Sequence, residues 1–177
     1  MFKSKEGYQP SPEEVGRAES SITEIQRVMS DVRYKVLTNP EFRGKKILFI
    51  MRGVPGSGKS TIAREIIPSE GVIHSTDKYF YDDEGKYNFD PSKLKEYHDE
   101  NFKSFCRSLE EEKPIVVIDN TNIQRVHFDR YVDAAKAKGY VVHIVEAPQP
   151  DPSVAAERNT HSVPEEVIRR MIEQYEK

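Results

Sequence analysis

The run Ile47-Leu48-Phe49-Ile50-Met51-Arg52-Gly53-Val54-Pro55-Gly56-Ser57-Gly58-Lys59-Ser60-Thr61 joins three kinds of pattern. Its first five residues are uninterrupted apolar, as in a strand buried on both faces. Gly53 to Gly58 is a glycine-rich turn, and the residues from Lys59 to Ile67 read as a helix that Pro68 stops. In that strand–turn–helix setting, Gly53 to Ser60 fits GxxxxGK[ST]. Glycines let backbone N–H groups converge on phosphate oxygens, and the helix N-terminus adds positive partial charge. Lys59 is expected to reach the β- and γ-phosphates and the Ser60 hydroxyl to meet Mg²⁺. The expected nucleotide-binding residues are Gly53, Pro55, Gly56, Ser57, Gly58, Lys59, Ser60 and Thr61, with ATP and Mg²⁺ as cofactors.

Outward from this run, apolar strands alternate with helical patterns. Strands are predicted at 72–73, 114–118 and 141–145, and helices over about 90–109, 123–138, 151–158 and 162–175, with 77–90 as a loop rich in aromatics and acids. Such alternation implies βαβ crossovers. The fold class is therefore α/β: a P-loop NTPase with a short parallel sheet flanked by helices on both faces and an N-terminal helical extension. The extension is taken as residues 1–44 and the P-loop domain as 45–177. Residues 1–10 read as a frayed tail. Ser11-Pro12-Glu13-Glu14 is a helix start, and Val15, Ala18, Ile22, Ile25, Met29, Val32 and Val36 form a heptad seam ended by Asn39-Pro40. The seam either docks on the domain's own surface, the preferred reading, or pairs with a second copy.

The chain has 177 residues, with 27 Lys+Arg against 30 Asp+Glu for a net charge of −3. That balance argues against a nucleic-acid binder held by bulk charge, although a local basic groove is compatible with it. Cys106 is the single cysteine, which excludes an intrachain disulfide and a cysteine zinc site. The apolar runs are too short to span a bilayer, and the start, MFKSKEGYQPSP, lacks a secretory apolar region. A cytoplasmic location and no membrane partner are expected.

In parallel sheets, ligands bind at the carboxyl ends of strands, so the residues after each strand matter most. Asp77 follows the second strand. It can accept a hydroxyl proton, hold Mg²⁺ through water, or merely cap a turn. Asp119 ends the third strand and is expected to support the Mg²⁺ site beside Ser60. Arg158 follows the fourth, on a segment that can close over a γ-phosphate.

The set GVPGSGKST, STDKYF, VVIDNTN and ERNTHSVP resembles the P-loop kinase family of bacteriophage 5′-hydroxyl polynucleotide kinases. It is closer still to the kinase-like domains of the NEDD-four-binding-protein-two family, to which Gly85-Lys-Tyr87-Asn-Phe89 and His98-x-x-Asn101 also fit. The resemblance runs from about Lys45 to Tyr175. It implies Lys59, Asp77 and Arg158 as catalytic residues: Lys59 on the phosphates, Asp77 as general base and Arg158 on a lid. It implies Ser60 and Asp119 at the metal. Three positions depart from these patterns: Phe80 stands where an acceptor-contacting Arg is expected and Ser162 replaces a second lid Arg of the phage enzymes, and Lys78 replaces the second acid of the acid pair.

The expected function is an ATP/Mg²⁺-dependent phosphotransferase acting on a hydroxyl, foremost the 5′-hydroxyl of a polynucleotide. Its partners would be a nucleoside triphosphate and a nucleic-acid 5′ end, with self-association through the N-terminal helix as a further option. The alternatives are a kinase of a nucleoside or sugar hydroxyl, and a nucleotide-binding regulatory module acting through that helix. The aromatic and acidic loop Tyr79 to Glu84 would either stack a base or simply pack beneath a solvated acidic turn. Arg125, Arg130, Arg43, Lys45 and Lys46 are candidate sources of positive charge. The five histidines lack metal spacing; His74, His127 and His143 read as packing or surface residues, and His98 and His161 as residues near the cleft.

Overall fold

The computed structural model describes residue 9 and residues 11–177; the rest of the tail predicted for 1–10 lies outside them. Four strands form one parallel sheet in the order β2-β3-β1-β4: β1 (Ile47–Arg52), β2 (Val72–His74), β3 (Ile115–Asp119) and β4 (Val141–Glu146). β1 pairs with β3, setting Met51 opposite Asp119, and with β4 on its other edge. It is thus covered on every side, which is why it tolerates no polar residue before Arg52. Successive side chains alternate faces. Leu48 and Ile50 join Val116 and Ile118 beneath α3 (Leu94–Glu110) and α4 (Asp129–Ala137), where Phe105, Phe128 and Tyr131 fill the layer. Ile47, Phe49 and Met51 face α2 (Lys59–Ile66) and α1 (Pro12–Thr38). A third cluster packs Val54 and Ile123 under α5 (Pro152–Arg158) and α6 (Glu165–Glu173) through Ala155 and Ile168. No described helix is long and apolar enough to cross a membrane.

The heptad seam of α1 divides in two. Ile25, Met29, Val32 and Val36 pack into the second cluster, so the C-terminal half of the seam covers the domain's own core. Val15 and Ile22 are 40 % and 50 % exposed, and the Ala18 side chain lies outside the described residues. Three local predictions need correction. The helix expected over 123–138 begins only at Asp129, after a 3₁₀ turn at Arg125–His127. Ile123 is instead drawn into the third cluster, after Asn122 turns the chain at φ 48°. The loop expected over 77–90 contains a 3₁₀ turn, Thr76–Phe80, and an antiparallel bridge from Tyr81 to Tyr87. Ser162 does not cap α6: it lies at φ 57°, and Pro164 is the capping residue.

Arg52 ends β1 pointing inward, 2 % exposed. Its guanidinium donates to the carbonyls of Asn122, Ile123 and Glu176 and to the Glu146 carboxylate, and lies over the Phe128 and Tyr175 rings. One side chain thus ties β1, β4, the turn after β3 and the C-terminal tail. Arg52→Met is expected to cost about 3 kcal/mol or more, because three carbonyls lose their charged donor in a buried place. A urea-melt loss below about 1 kcal/mol would reject that account.

His74 is buried, with Nε2 2.8 Å from Ser108 Oγ and Nδ1 unpartnered. Burial first, then Lys78 and Arg107, push its pKa down to about 4. The unfolded chain therefore takes up this proton before the folded one does. Stability is full above about pH 6.5 and falls as pH drops towards about 4. Burial also lowers His98 and His143, so these histidines act in the same direction. In urea melts between pH 7 and 4, His74→Gln is expected to flatten the decline; an unchanged slope would remove His74 from it.

Candidate active site

The ends of β1, β2 and β3 open on a cleft of about 840 Å³. Its floor is the 55–61 part of the glycine-rich turn. Gly56 and Gly58 adopt φ 80° and 88°, which lets consecutive amides turn inward. The glycines also admit close neighbours: a Cβ on Gly56 would strike the Ala155 backbone of α5, and one on Gly58 would strike Ile25 of α1. Gly53 lies behind the cleft, where a Cβ would strike the Ser57 and Ala147 side chains.

Ser60 lies in the first turn of α2, and its hydroxyl donates to Asp119 Oδ2 at 2.7 Å. Lys59 Nζ stands 3.8 Å from Asp119 Oδ1, within ion-pair range but beyond hydrogen-bond reach. Both side chains are about nine-tenths buried, and Oδ1 has no hydrogen-bond partner. A buried carboxylate oxygen left without a hydrogen bond is costly. Beside a hydroxyl, it is the donor set that suits a hard divalent cation.

The turn after β3 ties the cleft's walls together. Gly53 N–H donates to the Thr121 carbonyl, the Asn122 amide donates to the Met51 carbonyl, and Asn120 Oδ1 accepts from Thr76 N–H. Asn120 therefore sets the turn that carries Asp77, and His98 supports it through Thr76 Oγ1 at 3.1 Å. Asp77 lines the cleft with its side chain 43 % exposed, and its Oδ2 is 3.5 Å from His161 Nδ1. Burial and the Asp77 charge push the nearby Tyr87 hydroxyl up to about 12, so it stays a neutral phenol. Arg158, at the end of α5, lines the opposite side, and its guanidinium donates to the Gly56 carbonyl at 2.8 Å.

Of the residues expected to be catalytic, nucleotide-binding or metal-binding, all except Gly53 line this one cleft. Its charged lining is Lys59, Arg64, Lys78 and Arg158 against Asp77 and Asp119, a basic balance within a chain of net charge −3. Sequence reading missed Arg64, although its i+4 spacing from Ser60 puts both on one helix face. It also missed Asn120 and Asn122 as braces, since an Asn after a strand carries no local mark of its partner. The basic residues offered as charge sources lie elsewhere: Arg130 pairs with Asp99, Arg125 with Glu176 and Lys46 with Glu112, and Arg43 and Lys45 do not line the cleft. Phe80 is buried against Tyr87, Phe89 and Tyr97. Asp82 is engaged in its own turn, where it accepts from Glu84 N–H, Lys86 N–H and the Asn88 amide.

The model of the AAA domain family matches residues 48–177. NEDD4-binding protein 2 of Homo sapiens is 37 % identical over 176 residues, covering 94 % of this chain and 10 % of that protein. YLP motif-containing protein 1 of Homo sapiens is 31 % identical over 161 residues, covering 77 % of this chain and 8 % of that protein. The chain thus spans about a tenth of the length of these relatives. In the structure of the Pnkp1/Rnl/Hen1 RNA repair complex, one chain superposes with a TM-score of 0.60 at 18 % identity, over 78 % of this chain and 46 % of that one, a likeness of fold. The apolar β1, the glycine turn and the strand-end acids thus have their explanation: the chain belongs to the AAA domain family, with a P-loop kinase-like fold.

Proposed function

We propose that the chain transfers the γ-phosphate of ATP to a hydroxyl, with the 5′-hydroxyl of a polynucleotide as acceptor. The observation that carries this reading is the placing of Asp77 in the same cleft as the Lys59, Ser60 and Asp119 cluster. A phosphate-binding floor alone describes a nucleotide site; an acid beside it supplies a place for the acceptor's proton. The phosphate loop amides and Lys59 hold the β- and γ-phosphates. Ser60 and Asp119, whose Oδ1 accepts no hydrogen bond, would hold Mg²⁺, which when bound neutralises charge on the phosphate oxygens. Asp77 orients the acceptor hydroxyl and takes its proton as the new O–P bond forms and the bond from Pγ to the β,γ-bridging oxygen breaks, releasing ADP. Arg158, anchored beside Gly56, stabilises the charge on the group in transit. The protein contributes positioning and charge, as this chemistry requires.

Phe80 favours a second reading. With this side chain buried, no cation stands at its position to meet an acceptor phosphate, and the exposed acids Asp82, Asp83 and Glu84 follow it in the chain. The acceptor would then be a nucleoside or sugar. Labelled ATP with Mg²⁺, offered separately to 5′-hydroxyl oligonucleotides and to a panel of nucleosides and sugars, separates the two. Label on the oligonucleotide, with an affinity that falls steeply with salt, is expected. Label on small acceptors only would replace the first reading by the second. Transfer to neither acceptor class would reject both.

A further inference from the structure

His161 lies on the 159–164 connector between α5 and α6, and reaches across the cleft to the Asp77 wall. Its Nδ1 is 3.5 Å from Asp77 Oδ2, and its Nε2 is 3.2 Å from the Tyr81 hydroxyl. Its ring leans on Tyr87, with centroids 4.3 Å apart at 31°. Both sides of this contact are held firmly. The Asn159 side chain donates to the carbonyls of Ala155, Ala156 and Val163 and accepts from Val163 N–H, which fixes the connector. Tyr81 and Tyr87 face each other across a bridge closed by Asp82 N–H to the Lys86 carbonyl and Asn88 N–H to the Phe80 carbonyl. The imidazole is therefore gripped on three sides, and one of its nitrogens is aimed at the acid in the cleft.

An ionised carboxylate offers no proton, so an attractive contact with Asp77 Oδ2 places a ring proton on His161 Nδ1, and the direction of the Nε2 contact with the Tyr81 hydroxyl follows from that tautomer. We propose that His161 is a positioning residue: it holds Asp77 Oδ2 and leaves Oδ1 turned towards the acceptor hydroxyl. The proposal rests on Asp77 being the base. His161 touches no reacting atom and acts only through Asp77. It also links the segment bearing Arg158 to the side of the cleft that carries Asp77.

Two substitutions separate this role from simple packing. His161→Phe keeps a ring against Tyr87 and removes the Nδ1 donor. His161→Asn removes the ring and keeps an amide N–H near the Nδ1 position. If His161 positions Asp77, the Phe variant lowers kcat on the order of 10²-fold with KM for ATP unchanged, as a displaced catalytic group does, and the Asn variant recovers most of the loss. A fully active Phe variant, or an Asn variant as slow as the Phe variant, overturns the proposal. A readout independent of turnover is the ¹⁵N spectrum of the imidazole, assigned by its disappearance in His161→Phe. The Nδ1–H tautomer is expected, with Asp77→Asn shifting the Nδ1 resonance. A spectrum indifferent to Asp77→Asn overturns the contact even in an active enzyme. A wild-type chain that transfers phosphate to no acceptor rejects the functional reading, and the spectrum then still decides whether His161 engages Asp77.

Discussion

Lys59→Ala is expected to lower γ-phosphate transfer by about 10³-fold or more, the scale for removing one preorganised charge from a transition state. The lysine stem comes from the first turn of α2, so its reach towards the glycine turn is fixed by the helix start. In the resting structure its ammonium faces Asp119, 3.8 Å away, in a place that is about nine-tenths buried. Removing it takes away the nearest counter-charge of that carboxylate as well as the cation that phosphates would meet. Binding of an ATP analogue should therefore weaken together with turnover. Thermal melts are the necessary control, because a buried carboxylate that has lost its partner also costs stability. A folded Lys59→Ala protein with turnover within about tenfold of wild type would remove the lysine from the phosphate site.

Asp77→Ala is expected to lower transfer by about 10²- to 10⁴-fold, the range for loss of a general base, while leaving affinity for an ATP analogue nearly unchanged. The separation follows from placement. Asp77 stands on the 76–80 turn, and the residues proposed to bind phosphate belong to the 53–61 turn. The Asp77 side chain is 43 % exposed, so its removal should change stability by no more than about 0.5 kcal/mol. Single-turnover transfer from preloaded ATP, run beside equilibrium binding of an ATP analogue, gives both quantities. Parallel losses in binding and transfer would assign Asp77 to nucleotide binding or to the metal; normal transfer would end its role as base.

The readings that held were those carried by short-range pattern. An apolar run of five residues followed by glycines and Lys-Ser needs only its own neighbours to be a buried strand and a phosphate loop. The four strands followed from short apolar runs, and the helices between them from a period of 3.6 residues. The strand-end rule then put Asp77, Asp119 and Arg158 at one edge of the sheet. Errors arose where a distant contact overrode a local preference. Ile123 reads as the start of a helix and is held out of it by burial against Val54, Ala155 and Ile168. Val15 and Ile22 continue the seam of Ile25, Met29 and Val32, yet only the latter three meet the core. Arg125 and Arg130 are unremarkable cations in sequence; in the fold their charges are committed to Glu176 and Asp99, away from the cleft.

The amino-acid sequence by itself determined the α/β alternation, the glycine-rich turn after β1 and the residue types at the strand ends, because each depends on interactions within a few residues. Tertiary structure alone decided which of those residues meet. Ser60 reaches Asp119 because β1 and β3 are neighbours in the sheet. Asp77 is set by Asn120 because β2 lies beside β3. His161 meets Asp77 across 84 positions of chain (161 minus 77), because α5 and the connector fold back over the cleft. Such contacts are sums of strand order, helix packing and side-chain rotamer, and no stretch of a few residues carries them.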